Sequence, residues 1–325
     1  MSNEKRVIEI LADGEFHSGE LIAKEMGVSR AMIWKSIQAI RKNQKLQIIS
    51  VKGRGYKLQQ PLELLDEEAI LNALPSAAKD SLQFHIKNSI SSTNSWLMER
   101  AVEDIPSGTA CIAEQQTSGR GRYGREWVSP YGKNIYLSLL WRYLLSPSDV
   151  GGLSLAAGVV ILRVLRQLGL EDAGLKWPND ILWQEKKLAG LLLEVAGEST
   201  GPCHVVIGVG INIRIDDQSA AKIDQPWVDL ATIKGFKEVS RNQLVAMILD
   251  ALLVCLQRYQ KEGLEPYLAD WEGFDLHYGK KVCLKSGNSE IVGIHQGIDR
   301  YGGLRLNVAG KIRSYHAGEV SLRSL

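Results

Sequence analysis

At 325 residues the chain exceeds the length over which one hydrophobic core usually keeps growing, so two or three domains are expected. Its composition is that of an ordinary soluble protein, and no apolar run reaches membrane-spanning length. Glu4 and Glu9 interrupt the first apolar stretch, which a signal peptide would not tolerate, so a cytoplasmic address without a membrane partner is expected. Cys111, Cys203, Cys255 and Cys283 are scattered without a CxxC pair, and the histidines lack HxxxH or HExxH spacing, so neither disulfides nor a protein-built metal site is expected.

The formal charge of +2 is unevenly distributed: residues 1–60 hold eleven Lys/Arg against six Asp/Glu, and no acid occurs from Met26 to Leu62. That asymmetry predicts a polyanion-binding front end on a nearly neutral body. Val7, Ile8 and Leu11 form a helical stripe stopped by Asp13-Gly14. Ser18 is placed to cap a second helix carrying Leu21 and Ile22 and ending at Gly27. Ser29 caps a third, with Ile33, Ile37 and Ile40 on one face and Ala31, Lys35, Gln38 and Lys42 on the other.

Two helices joined by a short glycine turn, the second presenting small, amide and cationic side chains, are what a major-groove reader requires. Gln38 suits a base edge, and Lys35 and Lys42 suit phosphates. Strands at 46–51 and 56–58 flank Lys52-Gly53-Arg54-Gly55, a hairpin with a cationic tip. Ser29, Arg30, Ala31, Lys35, Gln38, Lys42 and Arg54 are thus the expected DNA-binding residues. A docking or dimerisation module with a solvated basic face is the plainer alternative. Gln59-Gln60-Pro61 reads as a short linker, and Asp66 as the cap of a connecting helix through Ile70, Leu71 and Leu74.

From about residue 80 to 270 apolar strands alternate with helices. Strands are expected at 110–113, 135–141, 181–183, 188–195 and 205–215, and a long helix at 150–168 closed by Gly169. Several strands follow one another with no helix between them, which predicts hairpins and an α+β mixed sheet.

The most unusual segment is Gly119-Arg120-Gly121-Arg122-Tyr123-Gly124-Arg125. It matches GxGxxG literally, yet Gln115-Gln116-Thr117 separates it from the preceding strand and Ser129-Pro130 follows where a dinucleotide-binding helix should run. Alternating Gly and Arg instead describe a mobile loop that closes on an anion, guanidiniums forking onto carboxylate or phosphate. Lys176-Trp177-Pro178-Asn179-Asp180 precedes Lys186-Lys187-Leu188-Ala189-Gly190; read alone these are a tight turn and a solvated hairpin end. Gly208-Val209-Gly210-Ile211-Asn212 ends a buried strand where missing side chains let a ligand approach the backbone, or where a bulge sits. Ser92-Thr93-Asn94 offers hydroxyls and an amide, or a plain N-cap. No P-loop, GxSxG elbow or kinase signature occurs, so nucleotide chemistry here needs a different site.

Together, Ser92-Thr93-Asn94, GRGRYGR at 119–125, KWPND at 176–180, KKLAG at 186–190 and GVGIN at 208–212 resemble the biotin-protein ligases. With the helix-turn-helix in front and Gly318-Glu319-Val320-Ser321-Leu322-Arg323 behind, the chain resembles the bifunctional bacterial ligase and biotin operon repressors along nearly its whole length. An acid often precedes the Ser-Thr-Asn triplet in that family, whereas Ser91 stands here.

The resemblance implies three domains: a winged helix-turn-helix at 1–62, a catalytic mixed-sheet domain of class II synthetase type at 63–270, and an SH3-like barrel at 271–325, with strands at 281–284, 290–299, 304–308 and 311–322. Ser92, Thr93, Asn94 and Gln116 would line the biotin ureido and entry end, with Arg120, Gly121 and Arg122 closing over biotin and the adenylate. Lys187 would sit between the biotin carboxylate and the ATP α-phosphate, and Asp180 near the acceptor lysine. Lys187, Arg120, Arg122 and Asp180 are therefore the implied catalytic set. Arg122, Arg125, Trp127, Asn212, Trp227 and Arg323 would serve the nucleotide. ATP with Mg²⁺, biotin, biotinyl-5'-AMP as intermediate and corepressor, a biotin carboxyl carrier protein of acetyl-CoA carboxylase, operator DNA and a ligand-promoted homodimer are the implied cofactors and partners. A lipoate or octanoate ligase, a catalytically silent ligand-sensing repressor and a ligase with a vestigial front module are the alternatives.

Overall fold

The computed structural model describes residues 2–103, 105–198, 200–286, 289–316 and 320–324; the side chains of 286, 289, 320, 321, 323 and 324 lie outside the description. Helices α1 (Asn3–Leu11), α2 (Gly19–Met26) and α3 (Arg30–Asn43) each begin at a serine whose side chain accepts an amide of the first turn: Ser2 from Lys5, Ser18 from Leu21 and Ser29 from Met32. Gly27, at φ 65°, ends α2 in the left-handed conformation. Val7, Ile8 and Leu11 of α1 pack with Ile22, Ala23 and Met26 of α2 and with Ile33, Ile37 and Ile40 of α3. Leu21, expected on the inner stripe, is exposed; the buried face of α2 runs through 22, 23 and 26, and Leu21 falls outside that arc.

The wing is the antiparallel pair β1 (Ile48–Val51) and β2 (Gly55–Leu58). Arg41 straps it to α3, donating to the Ile48 carbonyl at 2.7 Å and to Ser50 Oγ at 2.8 Å. Gly55 passes so close to the His17 carbonyl that a Cβ would lie 2.0 Å from its oxygen.

The connection after the wing is short, as expected, but it is packed rather than a free tether. Leu62 N donates to the Ala12 carbonyl, and Leu62 and Leu64 pack with buried Tyr131 against the N-terminal core. The Glu63 carboxylate accepts from the Arg241 and Asn242 amides at 2.6 and 3.1 Å. Leu65 N donates to Glu114, whose other oxygen pairs with the Arg241 guanidinium at 2.6 Å, both side chains being about one-twentieth exposed.

Helices α4 (Glu67–Ala73), capped by Asp66, and α5 (Ser76–Lys79) lead into the central domain. Its strands are β3 (Gln83–Lys87), β4 (Thr109–Ala113), β5 (Ile135–Tyr143), β6 (Ala173–Lys176), β7 (Asp180–Trp183), β8 (Lys186–Gly197) and β9 (Cys203–Ile211), in the order β3-β4-β5-β9-β8-β7-β6. Only β3 with β4 is parallel, so the sheet is mixed. Alternate residues of β5 serve opposite faces: Leu137 and Leu139 pack with α7 (Leu153–Gln167) and, later in the chain, the helix over Arg241–Glu262, while Leu140 packs with Leu97 and Ala101 of α6 (Thr93–Ala101). The short α8 (Asp217–Ala220) precedes that long helix, α9 (Arg241–Glu262).

The expected strand at 205–215 stops at Ile211; beyond it the Ile213 and Ile215 amides donate to the Asn134 and Asp229 side chains and not to a neighbouring strand. Strands β3 and β6 and helix α9 have no counterpart in the sequence expectations. The first two are short and mixed in polarity; α9 carries a capping box between Ser240 and Gln243 that does mark its start.

After α10 (Leu268–Phe274), strands β10 (Lys281–Ser286), β11 (Ser289–Ile298), β12 (Leu304–Val308), β13 (Lys311–Tyr315) and β14 (Val320–Ser324) form an antiparallel sheet in the order β13-β12-β11-β10-β14. The single strand expected at 311–322 is two strands on opposite edges of this sheet. The sheet docks on the central domain: Trp177 Nε1 donates to the Gly302 carbonyl at 3.0 Å, and Lys280 pairs with Glu185 at 3.0 Å.

Removing one member of a buried ion pair strands the other charge without water. Arg241→Met is therefore expected to lower unfolding free energy by about 3–5 kcal/mol in a urea titration followed by circular dichroism; a loss under about 1 kcal/mol would show that the junction does not depend on this pair.

Candidate active site

A cavity of about 130 Å³ opens on one face of the mixed sheet, and it gathers Ser92, Thr93, Asn94, Gln116, Arg120, Gly121, Arg122, Arg125, Trp127, Asp180 and Lys187. Its polar end is built at the start of α6. Ser92 caps the helix, so the plain N-cap reading is true of it as well. Thr93 N donates to Gln116 Oε1 at 2.9 Å, and Gln116 Nε2 donates to Ser129 Oγ at 3.2 Å. Ser138 Oγ donates to Asn94 Oδ1 at 2.6 Å and lies 2.7 Å from the Thr93 hydroxyl. The Asn94 amide donates to Glu194 at 2.9 Å and to the Leu192 carbonyl at 3.2 Å. Such a network holds each donor and acceptor in one orientation.

Two glycines of β9 make room. A Cβ on Gly208 would stand 2.2 Å from Asn94 Oδ1, and one on Gly210 would stand 2.5 Å from the Trp127 indole, which also covers Gly190 on the neighbouring strand. The GVGIN segment is thus a regular strand with a flat floor, and not a bulge.

The arginine segment is a tight two-way loop. Gly121 N donates to the Arg125 carbonyl at 2.8 Å and Trp127 N to the Gly119 carbonyl at 2.9 Å, with Tyr123 and Gly124 at positive φ at the tip. Arg120 donates to Ser95 Oγ at 2.7 Å and reaches Glu194 at 3.3 Å. Arg122 donates to the Tyr123 hydroxyl at 2.7 Å, and burial pulls its guanidinium below the usual arginine range.

Lys187 and Asp180 face each other across the β7–β8 hairpin at 2.7 Å, each side chain under one-fifth exposed. A shift in the strand register between Ile181 and Leu182 sets that meeting. Lys176 stands beside them; burial lowers its pKa, and the Asp180 charge opposes the shift. The Lys187 backbone is pinned by the Pro226 carbonyl and by Val228 N, next to Trp227. The Asn212 amide donates to the Lys187 and Val228 carbonyls at 3.3 and 3.2 Å, so its visible work is to hold that crossing.

A second cavity, lined by Asn212 and Trp227, shares Arg125, Trp127, Lys176, Asp180, Lys187 and Gln225 with the first. Among the described residues of the first cavity, five cations (Arg120, Arg122, Arg125, Lys176, Lys187) stand against two carboxylates, Glu126 and Asp180. The excess favours anionic ligands, and two lobes meeting at shared cationic groups can bring two of them together.

The Arg323 side chain lies outside the described residues; its neighbour Leu322 lines both cavities, which brings β14 to their rim. The expected DNA-binding residues gather elsewhere, on α3 and the wing. Arg30, Ala31, Lys35 and Lys42 are exposed and Gln38 half-exposed. The Ser29 hydroxyl is engaged as a cap, and the Arg54 guanidinium rests 4.0 Å from the Phe16 ring. Sequence reasoning missed Ser95, Ser138 and Glu194, and named Lys176 only within the KWPND segment. A lone hydroxyl in the apolar run of β5 and a lone acid in β8 were the signals for two of them.

Fold and site together define a helix-turn-helix protein with an anion-binding, ligase-type mixed-sheet domain. Residues 87–212 match the Biotin/lipoate A/B protein ligase family, residues 3–57 an HTH domain and residues 277–323 the Biotin protein ligase C terminal domain. The chain belongs to the biotin protein ligases, in the form that carries an N-terminal helix-turn-helix. It is 41% identical over 319 residues to the bifunctional ligase/repressor BirA of Escherichia coli (strain K12), covering 98% of this chain and 97% of that one. It is 35% identical over 264 residues to the biotin–[acetyl-CoA-carboxylase] ligase of Mycobacterium tuberculosis, covering 79% of this chain and 95% of that one. Among solved structures, the biotin protein ligase from Aquifex aeolicus in complex with biotin and ATP is similar at a TM-score of 0.63 and 28% identity, covering 75% of this chain and 99% of that one.

Gly208→Ala is expected to push Asn94 off its partners and to weaken biotin binding about tenfold in calorimetry, the size of one lost buried hydrogen bond. An unchanged dissociation constant would separate the Asn94 network from biotin.

Proposed function

We propose that the chain adenylates biotin, transfers it to a lysine of a biotin carboxyl carrier protein, and represses transcription through its helix-turn-helix when biotinyl-5'-AMP is bound. The observation that carries this reading is the meeting of two cavities at Lys187, with Arg125 and Lys176 lining both and Arg122 lining the first. The polar end made by Ser92, Thr93, Asn94 and Gln116 suits the ureido group, and the cavity lined by Asn212 and Trp227 suits the nucleotide, with Arg323 as its further cation. The lipoate alternative shares the family model; the Mycobacterium tuberculosis relative is a biotin ligase by name, and the similar Aquifex aeolicus structure holds biotin and ATP.

Biotin carboxylate and ATP α-phosphate repel each other, so the chain's task is screening and alignment. Lys187 offers its ammonium to both anions, while Arg120, Gly121 and Arg122 close over them and exclude water from the mixed anhydride. Among the described residues no cluster of three His, Cys, Asp or Glu is placed to hold a metal. Mg²⁺ would arrive on the triphosphate, where it would supply charge neutralisation for the departing pyrophosphate. In the second step Asp180, paired with Lys187 at 2.7 Å, would orient the acceptor amine and take up its proton.

For repression, units 1–62, 63–270 and 271–325 work as one chain: loops ordered by the adenylate favour a homodimer, and a dimer doubles the operator contacts. Arg30, Lys35, Lys42 and Arg54 hold phosphates, while Ser29, Ala31 and Gln38 approach the bases.

Lys187→Ala is expected to reduce adenylate formation by about 10²–10³-fold, the usual loss for one preorganised charge-stabilising donor. Arg122→Gly is expected to release biotinyl-adenylate into solution; chromatography of labelled ATP turnover reads both, and unchanged behaviour of both variants would refute the assignment. Operator affinity is expected to fall with salt at a log-log slope of about −0.9 per phosphate contact. A salt-insensitive complex would contradict DNA binding through the basic face.

A further inference from the structure

Trp34 lies on α3 with 55% of its surface exposed, although tryptophan is normally well buried. The helix cannot roll to hide it, because Ile33, Ile37 and Ile40 are fully buried and fix which face looks outward. Trp34 follows Arg30 by four residues and Ala31 by three, and precedes Gln38 by four, so it stands on the same outward strip as the expected reading residues. Met32, also exposed, lies roughly 200° around the helix from Trp34 and looks elsewhere. Exposed cations share its helix and the wing: Arg30, Lys35 and Lys42 on α3 and Arg54 on the wing, with no acid anywhere from Met26 to Leu62.

A partner that covers this surface must be anionic at its rim and apolar at its centre. The major groove of a duplex has that character: phosphates outside, and thymine C5-methyl groups as the apolar features of the base edges. We infer that Trp34 packs on a thymine methyl in each half-site and is a specificity-determining residue of this chain, discriminating thymine from cytosine there. Gln38, one turn further on, is left for hydrogen bonding to an adjacent base. The inference rests on the DNA-binding reading proposed above, to which it adds the kind of base read and the side chain that reads it.

The test uses the full-length protein with biotin, ATP and Mg²⁺. Duplexes are selected by the wild-type protein from a random-sequence library, and each thymine of the selected duplex is then replaced singly by deoxyuridine, which removes only the methyl group. Anisotropy titrations at fixed salt are expected to show about a fourfold loss for the wild type at one thymine per half-site, the value of one buried methyl. Trp34→Ala is expected to bind more weakly, to lose that thymine dependence, and to keep the wild-type salt slope, since its phosphate contacts are untouched; Trp34→Phe is expected to retain part of it. A measurement without substitution stands beside these: 5-bromodeoxyuridine at the same position is expected to photocrosslink to the peptide containing Trp34.

Thymine dependence that persists in Trp34→Ala, or a crosslink mapping to another residue, would overturn the inference while leaving DNA binding intact. A flat deoxyuridine scan together with a changed oligomeric state of Trp34→Ala in sedimentation would overturn it in favour of a protein contact. Failure of the wild type to select any duplex would instead bring down the DNA-binding reading on which it rests.

Discussion

Lys187 and Asp180 are held 2.7 Å apart by a hairpin only a few residues long, in a pocket where neither is much exposed to water. An ammonium in that position needs a counter-charge, and Asp180 supplies one when no anionic ligand does. In the proposed reaction, carboxylate and phosphate ligands would compete for that charge. The rest of the site holds the pair in place. Pro226 and Val228 pin the Lys187 backbone, the Trp127 ring lies 5.4 Å from the ammonium, and Gly190 leaves room for the lysine stem, where a Cβ would stand 3.2 Å from Nζ.

The front module is joined to this chemistry by polar contacts that leave little freedom. Glu114 closes β4 and holds both the Leu65 amide and the Arg241 guanidinium; the chain then passes directly into Gln115 and Gln116, of which the second holds Thr93. Tyr131, four residues beyond Trp127, is counted among the buried side chains of the N-terminal core and hydrogen-bonds to Asn88. The residues flanking the arginine loop on either side therefore touch the junction with the helix-turn-helix.

Glycine does different work at different points of the site. Gly119 is required because a Cβ would sit 2.6 Å from the Trp127 carbonyl, which closes the loop on itself. Gly208 and Gly210 have ordinary extended backbone and are needed for space alone, one beneath an amide and the other beneath an indole. A sequence shows both as the same letter, and only the neighbours reveal which constraint applies.

What the sequence by itself determined is local. Serines before apolar stripes marked the starts of α2 and α3, Gly27 marked a left-handed turn, the acid-free basic stretch marked a surface for anions, and the order of five motifs marked the family. Those signals are short-range, arising from capping, backbone sterics and charge density along the chain, so they survive without a fold. The tertiary structure decided the rest: that Lys187 meets Asp180 and not open solvent, that Glu194 and Ser138 complete the Asn94 network from other strands, that residues 59–65 are clamped and not free, and that 311–322 splits across two edges of one sheet. Each of those outcomes depends on which strands become neighbours and in what register. Register is set by burying whole faces at once, a property that no single segment carries.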